Sequence, residues 1–144
     1  MKLLTVKVLQ AKIAEAEGAK ASAAQKAMHA EEEEKRALLE RLSRPSGLSD
    51  DEVMEKASII INRAVENGQM SVQVFRFPHS LCTDNGRAIN QAEAGWEKTL
   101  TGIPKEIYDF WTRQLQPRGY HIRYETLNYP GGMPGDVGII LSWG

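Results

Sequence analysis

From residue 5 to residue 42 the chain contains no proline and one glycine, Gly18, in a run dominated by alanine, glutamate and lysine. Strong helix formers summed over that many turns predict one long helix. Such a helix cannot hide every face against a small domain, so its apolar positions decide its role. Val6, Leu9, Ile13, Ala16, Ala23, Ala27, Ala30 and Ala37 recur at alternating spacings of three and four, and Lys20 and Glu34 interrupt the seam. A stripe of alanine is too thin to anchor a thick core, but it lets a second helix approach closely. Glu31 with Lys35 and Glu32 with Arg36 lie four apart, in the orientation that supports a solvated helix face.

The long helix should stop in Ser43-Arg44-Pro45-Ser46-Gly47, where proline disfavours helix in the residue before it and glycine adds freedom. This segment is the expected hinge between a helical region, residues 1–47, and a globular domain, residues 48–144. The next helix carries its own start signal. Ser49 and Glu52 form a capping-box pattern, and Leu48 and Val53 form the pair of a hydrophobic staple. Val53, Ala57, Ile60, Ile61, Ala64 and Val65 make a broad apolar face that ends at Gly68, the expected C′ glycine.

A strand follows over residues 70–77, with Val72 and Val74 on one face and Phe75 and Phe77 filling the other; Pro78 closes it. Ile89, Ala92, Trp96 and Leu100 predict a helix from about Gly86 to Leu100, with Thr83 or Asp84 as its cap. A further helix begins near Pro104 and ends before Pro117 and Gly119. Tyr120, Ile122 and Tyr124 alternate with polar residues, as do Val137, Ile139, Leu141 and Trp143, which gives two more strands. The order α-α-β-α-α-β-β defines an α+β chain. A long N-terminal helix precedes a small two-layer domain of three helices and a three-stranded, at least partly antiparallel sheet. A sheet that small has exposed edges, so pairing with another copy would be useful to it.

Net charge is −1 on 144 residues, too balanced for a nucleic-acid footprint. The single cysteine rules out an internal disulfide and fits a cytoplasmic protein. Lys7 and Lys12 interrupt the apolar residues near the start, and no segment approaches a membrane span.

Three side chains capable of chemistry fall close together in His79-x-x-Cys82-x-Asp84. They are the candidate catalytic set, with Cys82 as a nucleophile whose thiol a following helix N-terminus would lower. Spacing argues against a triad, since separate geometric roles are rarely met from one loop. A buried structural cysteine beside a capping aspartate is the simpler expectation. Arg87, Asn90 and Gln91, on the first turn of the predicted helix, are the candidate ligand-binding set for a carboxylate or phosphate. The glycine-rich loop at 128–136 lacks the lysine and hydroxyl of a P-loop, and it offers Tyr129 and Met133 as apolar contacts instead. No metal set and no cofactor motif is found in the residues.

The function these features favour is a non-enzymatic interaction or assembly module. It would self-associate, or pair with a partner, through Leu9, Ile13, Ala16, Ala23 and Ala27 of the N-terminal helix or through a sheet edge. The rival is a small cytosolic enzyme or anion-binding domain built on the 79–87 loop.

Overall fold

The structure, a computed structural model, describes residues 5–144. It is an α+β protein with a long N-terminal helix followed by shorter helices and a three-stranded antiparallel sheet. The chain divides into two compact units, one ending at Leu38 and the other Leu39–Gly144.

Helix α1 is Val6–Ser43, 38 residues, about 57 Å at 1.5 Å per residue. Residues 5–37 are exposed throughout, and Leu42 is its one buried residue. The last turns of α1 therefore belong to the globular unit. A Cβ on Gly102 would strike the Leu42 carbonyl and come within 2.8 Å of the Ser43 Cα. Gly102 also has φ +60°, so glycine is required there by space and by backbone alike. The proline-glycine segment after α1, the hinge that composition predicts, is tied down at one point. The Ser46 amide donates to Glu106 Oε1 at 3.0 Å.

Helix α2, Asp50–Glu66, starts and stops as its residues predict. The Glu52 amide donates to Ser49 Oγ at 3.2 Å and the Ser49 amide donates to Glu52 Oε1 at 3.4 Å, a complete capping box. At its end the Gln69 amide reaches the Ala64 carbonyl at 2.9 Å and the Gly68 amide reaches the Val65 carbonyl at 3.0 Å, with Gly68 at φ +72°. Those two bonds make a Schellman stop.

Strands β1 (Ser71–Phe77), β2 (His121–Thr126) and β3 (Val137–Ser142) pair in the order β1-β3-β2, both pairs antiparallel. The last strand in sequence is thus the central one, which explains why residues 137–141 are all buried. Val137, Ile139 and Leu141 face the helical layer. Ile140 and Gly138 lie on the opposite face among Gln73, Arg76, Arg123 and Glu125. In β1 the register shifts between Gln73 and Phe75, a bulge at Val74. The expectation that Phe77 sits on the face opposite Val72 is corrected by this bulge. Val72 pairs with Leu141 and Phe77 with Val137, so both share the buried face.

The helix predicted over 86–100 is replaced by two short pieces, α3 at Arg87–Asn90 and a 3₁₀ turn at Trp96–Thr99. Ala92 and Gly95 adopt φ +52° and +83°, which breaks any continuous helix. Helix α4 is Gly102–Phe110 and continues into a π-helical turn, Trp111–Leu115. One core cluster joins Ile61 of α2, Phe110 of α4, Leu115 and Leu141. Beyond it, Tyr124 is buried against Phe77, Trp96 and Tyr108, and its hydroxyl donates to the Pro104 carbonyl at 2.7 Å.

Candidate functional site

The loop carrying His79, Cys82 and Asp84 is locally well satisfied. His79 opens a 3₁₀ turn, and its carbonyl accepts from the Cys82 amide at 2.9 Å. Cys82 is 3% exposed and bridges Leu100 through its backbone. Burial pushes its thiol up to about 11, against a weaker lowering from a hydrogen bond with Thr99, and the Asp84 charge adds to the rise. The lowering expected from a helix N-terminus is thus reversed by burial, and α3, with four residues, offers little dipole to oppose it. Asp84 is occupied as a cap: Oδ1 accepts from the Gly86 amide at 3.0 Å and Oδ2 from the Ala88 amide at 2.9 Å. Among the described residues no hydrogen bond joins the His79 imidazole to Cys82 or Asp84. The thiol is thus enclosed, and the Asp84 carboxylate is committed to backbone amides.

Two of the three side chains expected to hold an anion, those of Arg87 and Asn90, are engaged within the domain, and among the described residues Gln91 is held only through its backbone N–H. Arg87 pairs with Glu93 at 3.6 Å, and Asn90 Oδ1 accepts from the Tyr129 hydroxyl at 2.7 Å. The Gln91 amide closes α3 by donating to the Arg87 carbonyl at 3.0 Å. The 128–136 loop is stapled at its base, where the Asp136 amide donates to Asn128 Oδ1 at 2.8 Å and Arg76 pairs with Asp136 at 2.8 Å. Its tip leaves Tyr129 and Met133 exposed. Among the described residues no three of histidine, cysteine, aspartate and glutamate converge as a metal would need.

A different feature offers an open, shaped surface. Helices α2 and α4 lie over the same face of the sheet and leave between them an apolar groove of about 450 Å³. Val53, Ala57 and Ile60 form the α2 wall, Ile103, Ile107 and Phe110 the α4 wall, and Val74, Phe75 and Leu141 the floor. Strict alternation would send only one of Val74 and Phe75 towards the helices. The bulge brings both to the groove. The π turn lies at one end and supplies Trp111, Arg113 and Leu115. Bulges and π turns are both enriched beside functional sites, and here the two border one cavity.

Charged groups line the edges of this groove. Arg113 grips Asp50 with two hydrogen bonds, Nη2 to Oδ1 at 2.9 Å and Nε to Oδ2 at 3.2 Å, and Gln114 adds a third at 3.0 Å. The hydrogen bond from Arg113, then that from Gln114, holds the Asp50 carboxyl below the usual aspartate range. This clamp fastens the start of α2 to the π turn. Lys56, Glu106 and Asp109 occupy the remaining edge, and among the described residues neither Lys56 nor Asp109 forms an ion pair. The floor of the groove is apolar, and its charged groups stand at the edges.

The sequence places Val53, Ala57 and Ile60 on one apolar face of α2, and nothing in that spacing separates a groove from a packed core. One signal was present. The apolar parity of β1 switches between Val74 and Phe75, which is how a bulge is written in sequence. The chain matches no protein-family model, no curated protein and no solved structure.

Proposed function

We propose that the chain is a non-enzymatic assembly module whose N-terminal helix associates with a second copy of the protein. The observation that carries this is the exposure of α1: residues 5–37 are all exposed, and Val6, Leu9 and Ile13 stand on one stripe at 68%, 45% and 58% exposure. Branched apolar side chains held in water on a preformed helix favour a partner that covers them. Ala16, Ala23 and Ala27 continue the stripe and permit close approach. The raised thiol of Cys82 and the capping role of Asp84 weigh against the catalytic alternative. With a net charge of −1, the favoured partner is protein rather than nucleic acid. No helix among the described residues is long and apolar enough to cross a membrane, and the setting proposed for the module is the cytoplasm.

Molar mass by light scattering coupled to size exclusion tests this on the full chain and on a Leu9→Lys/Ile13→Lys variant. The wild type is expected as a dimer or larger. The variant is expected as a monomer with unchanged helical content, because both positions are exposed. A wild type that stays monomeric at every concentration would overturn the proposal.

A further inference from the structure

We infer that the groove between α2 and α4 receives the first turns of α1 from a second copy, anchored by Val6, Leu9 and Ile13; this rests on the assembly reading and names the surface α1 meets. Positions 6, 9 and 13 have the i, i+3, i+7 spacing by which an amphipathic helix fills an apolar groove. The large side chains of the stripe are confined to this short stretch, about 10 Å of helix. Beyond Ile13 the stripe holds only alanine and is broken by Lys20 and Glu34. A coiled coil needs large apolar residues sustained over about three or four heptads. A compact groove of about 450 Å³ needs only a few anchors, and it is of that size.

Charge agrees with the assignment. On the helix, Lys12 falls to one side of the stripe and Glu17 to the other. The α4 edge of the groove is acidic, with Glu106 and Asp109, while the α2 edge carries Lys56. Asp50 and Arg113, the other charged groups at the edge, neutralise one another through their paired hydrogen bonds. Laid in the direction that puts Lys12 along the α4 edge, the helix brings Lys12 to Asp109 and Glu106 and Glu17 to Lys56, and the opposite direction would set like charges together. Exchange between two copies is reciprocal: each gives one helix and receives one, so both grooves fill and the contact closes as a dimer.

Single-cysteine pairing on the full chain tests this. The native cysteine is buried, so an introduced exposed thiol reacts alone. Ile13→Cys protein is mixed with Ala57→Cys protein and oxidised, and Lys56→Cys, at an exposed position, replaces Ala57→Cys should the latter melt early. The expected result is a cross-linked heterodimer of the two variants, with none when Met28→Cys replaces Ile13→Cys. Asp109→Lys is expected to weaken dimerisation about fivefold, and adding Lys12→Glu to that chain to recover most of it. A dimeric wild type in which Ile13→Cys couples only to itself would overturn the groove assignment and leave assembly through α1 standing. A wild type that is monomeric in light scattering would remove both.

Discussion

α1 and α2 are both unbroken helices, and they hold their shape for different reasons. α2 has 17 residues, a complete capping box, a Schellman stop and two residues, Ile61 and Ala64, buried in the domain. α1 has 38 residues, no acidic residue in its first turn, and one buried residue near its far end. What supports α1 is propensity together with exposed pairs such as Glu33 with Arg36 at 3.1 Å and His29 with Glu33 at 3.8 Å. Each such pair contributes little. A helix made by packing is committed to its own domain. One made by composition keeps its apolar stripe available, and that difference is why α1 is proposed as the element given to a second copy, while α2 stays in its own domain and walls the groove.

The contrast can be pressed hardest at the core. Phe110→Ala, beside Ile61 of α2, is expected to lower the stability of the globular unit by about 3–5 kcal/mol in urea unfolding. Ile13→Ala should leave that transition in place and act on molar mass alone; an equal loss from the two variants would erase the distinction.

The buried thiol gives the next largest effect. Its value rises from an ordinary 9.0 to about 11 on folding, so stability is fully present below pH 9 and falls as pH climbs towards 11. Cys82→Ala should remove on the order of 2 kcal/mol of that decline. A decline of unchanged steepness in the variant would mean the thiol is not enclosed in solution.

Capping comes third. Ser49→Ala breaks the box that starts α2 and is expected to cost about 1 kcal/mol. Removing an exposed pair from α1, by Glu33→Ala, should cost no more than about 0.5 kcal/mol of helical stability. If Glu33→Ala proved the more damaging of the two, α1 would be held by something other than composition.

Elements whose signals are local were legible in the residues. Ser49 with Glu52, Gly68, the proline-free run and the alternating strands all act within a few positions, and each element they predict is present. The failure over 86–100 has a tertiary cause. Ile89, Ala92, Trp96 and Leu100 share a helical spacing, but Trp96 is drawn into the Tyr108 and Tyr124 rings while Leu100 bridges Cys82. Meeting both demands turns the chain at Ala92, an alanine at φ +52° that no local preference would select. The groove escaped for a related reason. Whether Val53, Ala57 and Ile107 meet their neighbours or line a gap depends on the separation of α2 from α4, and no spacing within either helix encodes that distance.

Amide hydrogen exchange of the full chain across a dilution series bears most directly on the claim that α1 exists to be covered. The amides over residues 6–13 should be protected at high concentration and lose that protection on dilution, while those of α2 keep theirs throughout. Protection of residues 6–13 that does not change with concentration, or is absent at all of them, would contradict the account.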